Sequence, residues 1–241
     1  MSLLPVTLGV KRNIDAQGNG GSKRRALTKA QLTKTLQAAL EKDAYTCRYC
    51  GFTARQYQKA IPKDWAVSDP RDAELVTSCI FCEQCFTLES VSAMGSGALV
   101  WLPEIPQSAL NHITRAIYVA RAHDKETPEN IRLSADRAFE ILFNRRGEAK
   151  RRIGTDDPAV LAAALLESLE EGAYKERAKK LEGIRLMPLD KRMLQTSSGP
   201  EADQFPRIVS YWASAKGPYG AYPPSSWSDI FSLVQGLKSS A

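Results

Sequence analysis

Five cysteines occur in the 241 residues of this chain, and all lie in Cys47-Arg-Tyr-Cys50 and Cys79-Ile-Phe-Cys82-Glu-Gln-Cys85. A Cys-x-x-Cys turn sets two sulfurs close enough to bind one tetrahedral metal ion. A second such turn completes the four soft ligands that Zn2+ prefers. Buried free thiols are the plainer alternative, because cysteine packs well in cores. Two spaced pairs with no cysteine elsewhere favour the metal. A shared site constrains the fold strongly, since it must draw two stretches of chain to one point. Spacing alone leaves the second pair open, because Cys79/Cys82 and Cys82/Cys85 serve equally well.

Whether those sulfurs bind metal or pair as disulfides depends on compartment. Met1-Ser2-Leu3-Leu4-Pro5-Val6 lacks the charged and long apolar regions of a signal peptide. The longest apolar run, Ala159 to Leu166, is far short of the roughly 20 residues that span a bilayer. The expectation is a cytoplasmic protein with reduced thiols. A net charge of +6 permits an anionic partner, whether nucleic acid, acidic protein or membrane surface, and selects none of them.

Residues 3–12 partly alternate apolar and polar side chains and predict a strand. Residues 15–25, Gly-rich and then basic at Lys23-Arg24-Arg25, read as a flexible insertion. Thr28-Lys-Ala-Gln31 has the form of a capping box, and Leu32, Leu36, Ala39 and Leu40 recur at helical spacing, predicting a helix over 29–42. A short strand is expected at 57–61, a loop over 62–72, an extended approach at 75–77, a short helix over 83–92 and a buried strand over 98–102.

Beyond Pro103 the pattern turns helical: 106–122, 128–144 with Thr127 as cap and Pro128 at the first position, 158–170 after Asp157, and 173–182. Arg145 to Arg152, five positive charges against one negative, reads as a solvated helix end. Residues 184–188 are expected to be extended and 190–195 a short helix. The predicted organisation is one domain over 1–195 and a linker-rich tail over 196–241, with short helices near 205–215 and 227–237. Within the tail, 216–226 is expected to be disordered or extended. The face formed by Trp227, Ile230, Phe231, Val234 and Leu237 docks either in cis or in a partner's groove.

Thr46-Cys-Arg-Tyr-Cys-Gly51, followed by Leu75-Val-Thr-Ser-Cys-Ile-Phe-Cys82 and a helix, resembles the zinc-bearing frame of HNH-type ββα-metal nucleases. In that family a zinc held by four cysteines fastens the hairpin to the helix, while a second metal and a histidine base carry the reaction. Here Tyr57 to Trp65 contains no histidine, and neither does Glu83-Gln84-Cys85. His112 and His123 fall on or just after the 106–122 helix. Neutral imidazole is the natural base near pH 7, and a hydrolytic metal needs an open coordination position, which four cysteines deny. Asp64, Asp69, Asp72 and Glu74 offer oxygens to Mg2+ but read as solvated loop charges. The expectation is a structural Zn2+, no catalytic residues and no enzymatic activity. In the register of that frame Cys79 ends the strand and Cys82 starts the helix. The expected ligands are therefore Cys47, Cys50, Cys79 and Cys82, with Cys85 a buried thiol one turn on. The expected fold class is α+β, an HNH-like ββα zinc module embedded in a mostly helical domain.

A closer resemblance runs over about residues 2–195. Leu-Pro-Val-Thr-Leu-Gly-Val-Lys-Arg near the start, Tyr-Thr-Cys-Arg-Tyr-Cys-Gly-Phe at 45–52 and Val-Thr-Ser-Cys-Ile-Phe-Cys-Glu-Gln-Cys-Phe-Thr-Leu-Glu-Ser at 76–90 are similar to the IcmJ/DotN family. So are Trp-Leu-Pro-Glu-Ile at 101–105, Asp-Pro-Ala at 157–159 and Ile-Arg-Leu-Met-Pro at 184–188. That family belongs to Dot/Icm-type (type IVB) secretion systems. The resemblance implies a degenerate HNH-like zinc protein acting as a cytoplasmic adaptor at the inner face of the inner membrane. It would bind the C-terminal region of the coupling ATPase and other coupling-complex subunits, and help recruit substrates. The insertion at 15–22 and the tail after 216 depart from the family pattern. The alternative is a nucleic-acid-binding or weakly active HNH nuclease relative, supported by the basic pI of about 9.1 and the Arg145–Arg152 cluster.

Overall fold

The computed structural model of the protein describes residues 2–11, 27–64, 73–122, 127–167, 171–195, 199 and 201–232. The chain mixes helices with small sheets, each a two-stranded antiparallel pair among the described residues. It divides into two compact units, Met1–Ser92 with Asp157–Glu182, and Ala93–Asp156 with Gly183–Ala241.

In the first unit, helix α1 (Lys29–Lys42) begins with the capping box: Thr28 Oγ1 accepts the N–H of Gln31 at 3.2 Å and Gln31 Oε1 accepts the N–H of Thr28 at 3.0 Å. Strands β1 (Gln58–Pro62) and β2 (Leu75–Cys79) pair with Gln58 opposite Cys79 and Pro62 opposite Leu75. Without a break, β2 leads into the short helix α2 (Ile80–Glu83), then a 3-10 turn at Gln84–Phe86 and α3 (Leu88–Met94). Helices α4 (Gln107–Ala122), α5 (Glu129–Asn144) and α6 (Arg146–Ile153) belong to the second unit; α7 (Pro158–Glu167), α8 (Glu171–Lys175) and α9 (Arg177–Lys180) return to the first.

Residues 2–11 form no strand. Leu8 and Val10 are buried, as their alternation predicts, but the backbone finds scattered partners instead of a ladder. Leu4 N–H donates to the Arg48 carbonyl and Gly9 N–H to that of Cys85, both at 2.8 Å. The Tyr174 hydroxyl accepts the N–H of Val10 and donates to its carbonyl, each at 3.0 Å, while Arg177 Nε donates to the Leu8 carbonyl at 3.0 Å. Alternation selects which side chains face inward; it does not supply a neighbouring strand edge.

In the second unit, β3 (Gly97–Trp101) pairs with β4 (Ile184–Pro188), Leu99 opposite Leu186. A two-stranded sheet exposes two edges, and here both are occupied. Gln107 serves both polar groups of Leu186, donating from Nε2 to its carbonyl at 2.7 Å and accepting its N–H on Oε1 at 2.8 Å. Leu99 and Trp101 donate outward to the carbonyls of Asp156 and Arg145 at 2.9 and 3.2 Å. Val100, Leu102, Leu110 and Met187 form the core beneath, packed against Phe139, Leu142 and Phe143. Helix α10 (Phe205–Ala213) packs on α4, with Phe205 edge-on to Tyr118 and Trp212 fully buried.

Several local expectations are corrected. The helix expected over 83–92 is divided: α2 tightens into the 3-10 turn at Gln84–Phe86, and Thr87, outside the helical region at φ −133°, separates that turn from α3. Residues 190–195 hold no helix: strand β5 (Met193–Leu194) pairs instead with β6 (Ala202–Asp203), and Asp203 accepts the N–H of Arg192 at 2.9 Å. Pro128, not Thr127, is the residue before the first turn of α5. The basic cluster is a separate helix, α6, and the expected 173–182 helix divides at Glu176. Residues 216–226 form turns ending in a 3-10 helix at Pro224–Ser226. Residues 227–232 are helical; the 15–25 insertion and 233–237 of the expected last helix lie outside the described residues.

Candidate metal centre

The structure brings Cys47, Cys50, Cys79 and Cys82 together, all four buried, with every sulfur within 4.8 Å of the others. The Sγ atoms of Cys50 and Cys79 are 3.7 Å apart. A tetrahedral ion with Zn–S bonds of about 2.3 Å requires sulfurs about 3.8 Å apart, so this separation is that of a ligand pair and is far too long for a disulfide. None of the five cysteines is in a disulfide. The four sulfurs fit a metal ion of thiophilic character.

The first pair sits on a tight turn. Ala44 and Tyr45, with φ of 49° and 56°, swing the chain out of α1. Gly51 N–H then closes the turn onto the Cys47 carbonyl at 2.8 Å, and Cys47 N–H donates to that of Phe52 at 2.9 Å. Gly51 has φ of +76°, a conformation that side chains with a Cβ resist. The second pair straddles a junction. Cys79 is the last residue of β2 and precedes the first turn of α2, which holds Cys82.

Two polar side chains lock these parts to one another. The Gln58 amide, at the start of β1, donates to the carbonyls of Tyr45 and Phe52 at 3.0 and 2.8 Å, fastening the turn to the hairpin. Asp43, just beyond α1, accepts the N–H of Thr77 at 2.7 Å and faces the Arg48 guanidinium at 3.3 Å. Arg48 N–H donates in turn to the Thr77 carbonyl at 2.8 Å. The outer edge of β2 is thereby satisfied by the cysteine turn and the Asp43 carboxylate. Sequence reasoning missed both locks. Asp43 after a helix end carries a weak local signal as a capping residue; Gln58 carries none.

The thiols influence one another strongly. Burial, followed by the hydrogen bonds of its neighbours, pushes Cys79 well above the ordinary thiol value. Cys82 is raised first by its hydrogen bonds to Cys47 and Cys50. Cys47 is lowered: its bond with Cys50, the largest single influence, raises it, but the thiols of Cys79 and Cys82 together outweigh that. A buried cluster of this kind resists holding four thiolates by itself, and a bound dication removes that conflict by replacing the protons.

Cys85 stands outside the set of four. Its thiol donates to the Phe81 carbonyl one turn back at 3.3 Å, and burial keeps it protonated. Of the acidic candidates, Glu74 is paired with Lys63 at 2.9 Å, and Asp69 and Asp72 lie outside the described residues. His112 lies on α4 in the second unit, 3.3 Å from the Arg115 guanidinium, and His123 is outside the described residues. Among the described residues, no helix is long and apolar enough to cross a membrane.

No family model matches the chain. Among curated proteins, the type 4 apparatus protein DotN of Legionella pneumophila subsp. pneumophila (strain Philadelphia 1) is 36% identical over 159 residues, which cover 63% of this chain and 71% of that protein. With more than a third of positions shared across most of that relative, this chain belongs to the IcmJ/DotN family of the Dot/Icm secretion apparatus.

Proposed function

We propose that this chain is a component of a type IVB secretion or conjugation apparatus, where it acts as a non-catalytic adaptor built around a structural Zn2+. Membership of the DotN family carries the reading. In it, the chain binds the C-terminal region of the coupling ATPase at the inner face of the inner membrane, joins other coupling-complex subunits and helps recruit substrates.

The centre supports a structural role. Cys47, Cys50, Cys79 and Cys82 would supply all four ligands of Zn2+, and a tetrahedral ion so held keeps no open position for substrate or water. The metal would contribute folding free energy by tying the turn, the hairpin and α2 to one point. An antiparallel β1–β2 pair running directly into α2, with a cysteine pair before it and another at its end, supports an HNH-like ββα frame. Only two histidines occur in the chain, and neither falls between the cysteine pairs, which supports a frame without its general base.

The test is titration of metal-loaded, full-length chain against the purified C-terminal tail of the coupling ATPase, followed by calorimetry. Saturable binding is the expected result. No binding by folded, metal-replete protein overturns the adaptor reading, and Mg2+-dependent cleavage of DNA overturns the non-catalytic one.

A further inference from the structure

Among the described residues outside the metal centre, α6 and the residue before it carry a dense run of positive charge. Arg145, Arg146, Lys150, Arg151 and Arg152 oppose a single carboxylate, Glu148, within eight positions. Helix dipoles account for part of this, since Arg145 closes α5 and Lys150 to Arg152 form the last turn of α6. They do not account for how the guanidiniums converge. Arg145, Arg151 and Arg152 line one cavity of about 660 Å³ together with Trp101 and Glu148.

The local chemistry already shows what these arginines accept. Arg151 and Arg152 both engage the Glu148 carboxylate, Arg152 through Nε at 2.7 Å, and Arg145 holds Glu104 at 3.0 Å. A guanidinium carries five N–H donors, so a single carboxylate leaves donors over. Four of the five cations are arginine, the side chain suited to bidentate recognition of a planar anion. Arg151 is 78% exposed. One turn before Arg145, Ile141 is 64% exposed and gives an apolar flank on the same end of α5.

The nearby aromatics argue against a nucleic-acid site. Bases bind such surfaces by stacking on open ring faces. Here the guanidinium of Arg152 lies over Trp101 at 3.8 Å and that of Arg146 over Phe143 at 3.6 Å. A helix of eight residues is also only about 12 Å long, a short track for a phosphate backbone, and Glu148 and Glu104 interrupt its positive field.

We propose that the arginine-lined cavity between Trp101 and α6 binds an acidic segment of a partner protein, whose carboxylates engage Arg145, Arg151 and Arg152 while an apolar side chain packs toward Ile141. The proposal stands independently of the adaptor reading, because it concerns the second unit and names a chemistry, not an apparatus.

The test uses the metal-loaded full chain and fluorescence anisotropy. The probe is a short fluorescein-labelled peptide carrying several glutamates around one leucine; its all-glutamine counterpart and a duplex DNA are compared at equal concentration. The expected result is glutamate-dependent binding that weakens with salt and falls about tenfold in Arg151→Glu, the scale of one charge-assisted pair. Arg151 is chosen because its exposure spares the fold; Lys179→Glu, in the first unit, controls for net charge and is expected to bind as the parent does. Three outcomes overturn the proposal: no glutamate-dependent binding at millimolar peptide and low salt, equal weakening by Lys179→Glu, or preferential DNA binding through Arg151.

Discussion

Asp43 accepts the backbone N–H of Thr77 at 2.7 Å across 34 positions of sequence, and so fastens the end of α1 to the strand that delivers Cys79. The carboxylate is buried and Thr77 is fully buried. In Asp43→Ala the Thr77 N–H and the Arg48 guanidinium both lose their acceptor, at an expected cost of about 2–4 kcal/mol. Asp43→Asn keeps an acceptor and is expected to cost less than half as much. Urea unfolding of the metal-loaded proteins measures both; equal costs would show that the charge, not the hydrogen bond, matters.

Serine at Cys47, Cys50, Cys79 or Cys82 is expected to abolish stoichiometric metal binding and lower the melting temperature steeply, as a strong chelator would in the parent. Cys85→Ala removes only a thiol bonded to the Phe81 carbonyl, and is expected to retain one metal per chain at a stability cost of about 1–2 kcal/mol. Metal analysis beside thermal unfolding separates these cases. Retained metal in Cys79→Ser together with loss in Cys85→Ala would move the fourth ligand to Cys85.

Gly183 enters β4 with φ of +82°, and a Cβ there would lie 2.3 Å from the Trp101 ring. Gly183→Ala therefore combines backbone strain of about 1 kcal/mol with displacement of a packed indole, and an overall loss of roughly 3 kcal/mol or more is expected. The chain has four tryptophans, so the emission difference between the parent and Trp101→Phe isolates the Trp101 signal, which should shift toward the solvent-exposed value when Gly183→Ala is introduced.

Tyr118 donates from its phenol to the Pro188 carbonyl at 2.7 Å, and burial, reinforced by Asp190, raises its pKa well above the ordinary tyrosine value. Because the folded value is raised, the contribution to stability is complete below about pH 10, where unfolded tyrosine titrates. It is lost as pH rises from there, by about 1.4 kcal/mol per pH unit. Tyr118→Phe should be less stable near neutrality by about 1 kcal/mol, for the lost hydrogen bond, yet decline less steeply with alkali. Parallel alkaline limbs in the two proteins would refute the assignment.

What the sequence discloses follows the range of the interactions involved. Thr28 and Gln31 are three positions apart and their capping box is legible as a local pattern. The paired cysteines are legible because metal chemistry restricts their spacing. The locks at Asp43 and Gln58 are not, since each side chain is ordinary and its partners are set by tertiary approach. Residues 2–11 show the same limit: alternation marks Leu8 and Val10 as inward-facing, but the backbone partners of these two residues are Tyr174 and Arg177, more than 160 positions away. At 190–195 a short polar stretch carries too little periodicity to oppose the bridge that Asp203 makes to Arg192.

The first unit is assembled from two separated stretches of chain, and this orders events on the ribosome. All four sulfurs lie within the first 82 residues, so a metal ion would be able to close its site once this stretch clears the exit tunnel, while α5 and α6 are still to be synthesised. The start of the chain must wait longer, because Leu8 and Val10 gain their partners only when Tyr174 and Arg177 arrive. A metal ion captured that early would hold the nascent hairpin in register through that interval, and metal supply during translation, as well as afterwards, would then bear on how much protein reaches the folded state.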